Sequence, residues 1–507
     1  MKKTVLIIMA LTVLSKFVGF FRDITLAYFY GASGISDAYI VAITVPSVIF
    51  GFIATGISTG YIPMYNKIET ERDEQYSKRY TNNLLNVLYV FCTFIVILSL
   101  IFAEFIVKIF ASGFEGEILA LTTDFTRITI AGIYFSITIR ILSAYLNMKK
   151  LFAVPTLIGL PLSFVFIIFI FLSDRFDWVY LLAIGNVTAL AVQLIILLIF
   201  AYKKGYRYRF VFDVKDIYIK RMLFLAIPVI LGTAVSQINK LIDRTLASQI
   251  EIGAISSLNY ANTLILFIQG VVVVSISTVM YPAMSKMASK GNMDGLKRSV
   301  LQAMTGVNMF VLPATAGALI FARPIVELLF GRGAFTTEDV ILTATAFFYY
   351  SIGMIGFGLR EVLSRAFYSL QDTRTPMINA TIAVALNIVL NFILAYYMGI
   401  AGLALATSIS ALIATALLSV ALRKKLGAFG LKSAAVPFVK ILLASIIMGI
   451  ITKVIFDALL VLGMAAALTL SVLIGAVVYF ILLYVLKIEE AQLFLNQLKQ
   501  RMAKKRK

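Results

Sequence analysis

Eleven basic side chains sit inside stretches otherwise apolar enough to cross a bilayer: Lys16, Arg22, Lys108, Arg127, Arg140, Lys240, Arg244, Arg360, Arg365, Lys440 and Lys453. A charge at the hydrocarbon centre costs at least about 3 kcal/mol, so a chain that keeps this many is expected to turn several towards a water-filled cavity that receives an anion. In the first stretch Lys16 and Asp23 share a helical face, Arg22 points about 120° away, and Gly19 permits a bend that would bring both cations to one cavity. The competing reading is that Arg22 pairs with Asp23 and only ties helices together. Asp37 follows Ser36 at the start of the next stretch, either as a helix N-cap or as a gate residue near the outer interface.

A second set of residues carries oxygen. Asn239 and Asp243 are four apart, as are Lys240 and Arg244, so one helix would present an oxygen-bearing edge beside a cationic one. Asn387 and Asn391 repeat that spacing, and Thr407 lies in the following stretch. One carboxylate with amide, hydroxyl and backbone oxygens suits a small hard cation of single charge. Routine bonding between helices by asparagine accounts for the same residues equally simply. Nearby, Glu361 is expected to neutralise Arg365 at i+4, which leaves Arg360 available.

The elements that must position these groups are membrane helices. With 61% hydrophobic and 14% charged residues over 507 positions, and a mean hydropathy of +0.96, the chain is far more apolar than a soluble protein. Fourteen stretches have the roughly 20 residues needed to cross a core about 30 Å thick, with tight hairpins near 31–36 and 397–400. The expected architecture is an all-α polytopic membrane protein: fourteen transmembrane helices in two six-helix bundles related by a parallel pseudo-two-fold, plus a C-terminal helix pair. A weak internal echo supports the duplication. Arg22-Asp23-Ile24-Thr25-Leu26-Ala27 answers Ile242-Asp243-Arg244-Thr245-Leu246-Ala247, and Ile141-Leu142-Ser143 with Pro155 answers Val362-Leu363-Ser364 with Pro376, both at an offset of about 220 residues. The expected divisions are a first bundle over 1–203, a cytoplasmic linker over 204–218, a second bundle over 219–425, helices 13 and 14 over 426–486, and a basic tail over 487–507. Helices 13 and 14 serve either as lipid-facing packing or as a groove for an acyl or prenyl chain.

Lysine and arginine concentrate in alternate loops and at both ends, leaving Arg175, Arg323 and Arg332 alone in the remaining loops. By the positive-inside rule both termini are expected to be cytoplasmic. The net charge of +20 then reflects topology and attraction to anionic lipid rather than nucleic-acid binding. The tail, ending Lys504-Lys505-Arg506-Lys507, reads as a surface helix at the anionic leaflet. There is no histidine and one cysteine, Cys92, which excludes Ser-His-Asp chemistry, intrachain disulfides and cysteine-ligated metal. No P-loop occurs, and no loop is long enough for a catalytic domain. The chain is expected to be a transporter and not an enzyme.

The run Ser15-Lys16-Phe17-Val18-Gly19-Phe20-Phe21-Arg22-Asp23, followed by Gly31-Ala32, Ser36-Asp37-Ala38-Tyr39 and Pro46, resembles the N-terminal signature of the MurJ (MviN) lipid II flippases, in the multidrug/oligosaccharidyl-lipid/polysaccharide exporter superfamily. The resemblance covers the whole chain. It implies export of lipid II, the undecaprenyl-diphosphate-linked peptidoglycan precursor, by alternating access, with no required cofactor and a possible sodium ion (Na+), in what is expected to be a monomer. It implies diphosphate binding by Lys16 and Arg22, an outer-gate role for Asp37, and guidance of the lipid tail by the last two helices; Asp23, Lys240, Arg244 and Arg360 are further substrate-site candidates from the residues themselves. The sodium set would be Asp243, Asn387, Asn391, the backbone of Leu403, and Thr407. Two positions depart from the family: Phe50 and Asn262 stand where many members have arginine, and Lys16 also replaces a common arginine. Arg244, Arg360 and Arg140 are the candidates to compensate. A flippase for another polyprenyl-diphosphate glycan follows the same charge logic, whereas a cationic-drug antiporter would need an acidic cavity.

Overall fold

The computed structural model describes residues 2–427, 431–488 and 492. Among them the regular structure is helical: α1 (Lys2–Tyr30), α2 (Gly34–Glu71), α3 (Glu74–Ile101), α4 (Ala103–Phe110), α5 (Gly116–Thr129), α6 (Gly132–Met148), α7 (Ala153–Leu157), α8 (Gly159–Arg175), α9 (Tyr180–Lys203), α10 (Ile217–Ile250), α11 (Ala254–Ser289), α12 (Met293–Ile320), α13 (Ala322–Leu329), α14 (Thr337–Ile352), α15 (Met354–Ser369), α16 (Arg374–Met398), α17 (Ile400–Leu426), α18 (Leu431–Leu459) and α19 (Met464–Val485). Among the described residues ten spans are long and apolar enough to cross a membrane, and counting each of two bent pairs as one span, α5 with α6 at 42° and α14 with α15 at 44°, gives twelve. The expected number was fourteen. Helices α1 and α10, of 29 and 34 residues, lie on the other two expected segments. Both expected tight hairpins are present, between Tyr30 and Gly34 and between Met398 and Ile400. The basic tail lies outside the described residues except for Lys487, Ile488 and Gln492.

Backbone polar groups have no water to bond in a hydrocarbon core, so each break in a spanning helix needs a side-chain partner. Two breaks find one. At the α7–α8 junction, Gln193 Nε2 on α9 donates to the Ile158 carbonyl at 2.6 Å. At the α14–α15 bend, Ser408 Oγ on α17 donates to the carbonyls of Tyr349 at 2.6 Å and Tyr350 at 3.2 Å. Within α15, about two turns further along, Thr415 Oγ1 donates to the Gly356 carbonyl at 2.6 Å.

The chain forms two compact units, Met1–Ser257 with Gly333–Asp339, and Leu258–Arg332 with Val340–Lys507. Helix α10 belongs to the first, although the sequence places it at the start of the second bundle. Glycines let α10 approach α2 closely: an added Cβ at Gly51, Gly56 or Gly60 would meet Gln237, Ala226 or Met222 of α10 at 2.8, 3.1 or 2.4 Å. Small residues that let helices approach closely drive packing where the solvent is itself apolar.

In the first unit, a buried tyrosine cluster forms the core at the end bearing the basic loops. Tyr61, Tyr65, Tyr80, Tyr145 and Tyr206 pack ring against ring. Three of the hydroxyls reach other elements, Tyr80 donating to Met222 Sδ, Tyr145 to the Lys204 carbonyl and Tyr206 to Asn82 Oδ1, whereas the Tyr65 hydroxyl is buried without a hydrogen-bond partner among the described residues. Cys92 is fully buried in the same core. In the second unit α16 and α17 pack so closely that an added Cβ at Gly402 would stand 2.0 Å from the Leu394 carbonyl oxygen. Helices α18 and α19 pack on α12, where the buried Tyr479 hydroxyl donates to the Met309 carbonyl at 2.6 Å. Their outward faces expose Val454, Leu473, Val477 and Ile481, as lipid-facing helices do.

Candidate functional site

Asp37 is completely buried, and its carboxylate does not cap its own helix. Ser33 takes that position for α2. Instead Asp37 Oδ2 accepts from the Gly253 backbone N–H and Oδ1 from that of Ser256, each at 2.7 Å. An acid from α2 thus caps α11, satisfying two orphan donors where the helix dipole favours negative charge. The N-cap alternative is therefore replaced by a tie over more than 200 residues of chain. Around it three loops interlock. Asp339 Oδ2 accepts from the N–H of Ala32 at 3.2 Å and of Thr336 at 2.9 Å, and the Ala334 N–H donates to the Tyr28 carbonyl at 2.8 Å. Gly253 and Gly333 adopt positive φ there, and an added Cβ would stand 2.1 Å from the Ala32 oxygen or 2.2 Å from the Tyr28 oxygen. Asp339, Gly253 and Gly333 were not singled out from sequence. The only signal was glycine and acid in otherwise plain loops.

Among the intramembrane cations, Arg22 forms an ion pair with Asp23. Its Nε and Nη2 both donate to Asp23 Oδ1, at 2.9 and 2.7 Å, so neighbours in sequence neutralise one another. Arg365 pairs with Glu361 at 2.8 Å as the i+4 spacing predicts, and Arg127 and Lys453 likewise pair with Asp124 and Asp457. Lys108 and Lys440 donate to the carbonyls of Phe114 and Leu486. Arg244 Nη1 donates to the Ile255 carbonyl at 3.1 Å, which fixes the reversal from α10 into α11. Lys16, Lys240 and Arg360 make no ion pair among the described residues. Arg360 lies against the Phe357 ring at 5.5 Å.

Phe50 and Arg140 line one cavity of about 580 Å³ in the first unit, with Ser136, Ser143, Asn147 and Gln193. Ser143 Oγ is buried there without a hydrogen-bond partner. Arg140, one of the three arginines considered as replacements for the one absent at position 50, thus lines the same cavity as Phe50.

The oxygen set is divided. Asn239 Nδ2 donates to Asp243 Oδ2 at 3.1 Å in the first unit, and Asn239 Oδ1 is buried without a partner. In the second unit Asn387 and Asn391 are buried, with Asn387 Nδ2 donating to Asn391 Oδ1 at 3.5 Å, and Thr407 Oγ1 donates to the Leu403 carbonyl at 3.1 Å. Amide, hydroxyl and carbonyl oxygens on one helical hairpin are a donor set suited to a hard monovalent cation.

A many-helix membrane protein that keeps lysine and arginine within its apolar spans, some without acid partners, belongs to the class of transporters. Residues 26–457 match the family model described as Lipid II flippase MurJ, and the chain belongs to that family. It is 31% identical to a probable lipid II flippase MurJ of Thermotoga maritima over 96% of this chain and 97% of that protein. It is 30% identical to one of Vibrio cholerae over 82% of each. A solved lipid II flippase MurJ in an inward closed conformation superposes with a TM-score of 0.82 at 28% identity, covering 94% of this chain and 98% of that one. An inward-facing multidrug MATE transporter of the MOP superfamily, 14% identical with a TM-score of 0.69 over 84% of this chain and 98% of that one, shares the fold.

Proposed function

We propose that this chain carries lipid II from the inner to the outer leaflet of the bacterial cytoplasmic membrane by alternating access, as a monomer with both termini cytoplasmic. The observation that carries the reading is the set Lys16, Lys240 and Arg360, retained in apolar helices with no ion pair among the described residues. A diphosphate offers the negative charge such groups need, and Arg140 adds a cation in the cavity where Phe50 contributes none. Arg22 joins them through Asp23, which fixes the guanidinium while leaving its other donors available. Asp37 serves the outer gate by holding the first turn of α11.

Moving an anion outward across an inside-negative membrane is favoured by about 2.3 kcal/mol per charge per 100 mV. The same field returns the emptied cationic cavity. Sodium would supply charge compensation, held by oxygens of Asn387, Asn391, Leu403 and Thr407 with Asp243 as the acid, and it biases conformations only through unequal affinity for them. Helices α18 and α19 would guide the polyprenyl tail along their exposed apolar faces. The test is depletion of the protein in its host, followed by measurement of which leaflet holds lipid-linked precursor. Accumulation on the inner leaflet, reversed by re-expression, is expected; unchanged distribution would overturn the reading. Accumulation of a different polyprenyl-diphosphate glycan would reassign the cargo.

A further inference from the structure

The segment joining α9 to α10 is not a slack tether. Three asparagines on α3 hold it: Asn82 Nδ2 donates to the Arg207 carbonyl at 3.1 Å, Asn86 Nδ2 to the Val211 carbonyl at 2.9 Å, and Asn83 exchanges two hydrogen bonds with the backbone of Asp213. Tyr206 and Tyr208 return hydroxyl bonds to Asn82 and Asn86. Between this strap and the start of α3 lies a cavity of about 590 Å³ lined by Asp73, Lys78, Arg79, Asn82, Arg207 and Arg209, among others.

Lys78 is engaged by Glu74 at 3.3 Å, but Arg79, Arg207 and Arg209 make no ion pair among the described residues. Arg207 is held in place, its guanidinium 3.4 Å from the centre of the Tyr202 ring and its Nη1 donating to the carbonyls of Tyr202 and Tyr206. Its remaining donors are unused by those bonds. Three planar forks around one cavity make a receptor for a phosphate group. The source of that phosphate is read from the same strap, where Tyr208, Phe210 and Phe212 alternate with the arginines and are exposed, Phe210 by 78%. Aromatic side chains beside basic ones are the composition of a membrane interface.

We propose that this cavity is a site for the headgroup of an anionic phospholipid of the inner leaflet, separate from the transport pathway. The proposal does not rest on the identity of the cargo. The experiment is native mass spectrometry of the purified full-length protein in neutral detergent, titrated with phosphatidylglycerol, phosphatidylcholine and inorganic pyrophosphate. Preferential binding of phosphatidylglycerol over phosphatidylcholine is expected, weakened at least tenfold in Arg79→Gln/Arg209→Gln and unchanged in Lys297→Gln/Arg298→Gln, which removes equal charge from the first turns of α12. Phe210→Ser, which keeps every charge, is expected to weaken the lipid and leave pyrophosphate unaffected. Equal loss in both double variants, or no preference for the anionic lipid, would overturn the site. Pyrophosphate binding as tightly as lipid, with Phe210→Ser silent, would overturn the lipid assignment in favour of a soluble phosphate.

Discussion

Arg140 and Phe50 face one cavity from different helices, so the charge is placed by the space it serves and not by its helix. Replacing Arg140 with glutamine is expected to lower transport about tenfold, the equivalent of about 1.4 kcal/mol and close to one charge-assisted hydrogen bond. Phe50→Arg in that background should restore it. Reconstituted transport measures both, and failure of the second change to rescue would show that Arg140 is structural. Asp37→Asn is expected to cost about 2 kcal/mol and abolish complementation while the purified protein still melts cooperatively, because its two backbone donors lose an ionised acceptor. A third test concerns Asp372, outside the spans. The Lys425 ammonium at 2.5 Å, then the Thr375 N–H, hold its carboxyl at about 2 against an ordinary 3.8. A depressed acid contributes stability that is present above 3.8 and lost as pH falls towards 2. Lys425→Ala should flatten the acid limb of a melting-temperature profile across that window. Sequence made the Glu361–Arg365 pair legible because i+4 spacing is local. It could not reveal what Asp37 touches, since that partner is set by tertiary packing.

At the scale of elements, the helices were legible because a run of 20 apolar residues has few other fates, but their breaks were not. A bend between α14 and α15 persists because Ser408, over fifty residues away, accepts the burden of two exposed carbonyls. The pairing of α10 with α2 was likewise hidden, since Gly51, Gly56 and Gly60 show what they make room for only once the partner is known. The interlocked loops yield a direct prediction. Gly253→Ala combines left-handed strain with a clash on the Ala32 backbone and is expected to destabilise by about 3 kcal/mol. Gly291→Ala has positive φ but nothing within 4 Å, so about 1 kcal/mol is expected. Thermal unfolding in detergent compares them, and equal shifts would show that the close approach at Gly253 is not a constraint.

For the whole molecule, composition was enough to define a polytopic membrane protein, the cations within its apolar stretches pointed to a transporter, and the short run around Lys16, Arg22 and Asp37 was enough to suggest its family. The division into compact units was less legible, because the internal repeat records similarity between segments whereas compactness records which faces meet. If the cargo is anionic, its outward flux in proteoliposomes should rise roughly fiftyfold at most per charge for each 100 mV of inside-negative potential, the factor corresponding to 2.3 kcal/mol. Flux indifferent to an imposed potential would remove that driving force. Cys92, sealed within the tyrosine-lined core, has a practical consequence for all such measurements. The native protein is expected to be silent towards water-soluble thiol reagents, so that a cysteine introduced at an exposed position would report its own accessibility against a blank background, and labelling of the unaltered protein would show that Cys92 is reached.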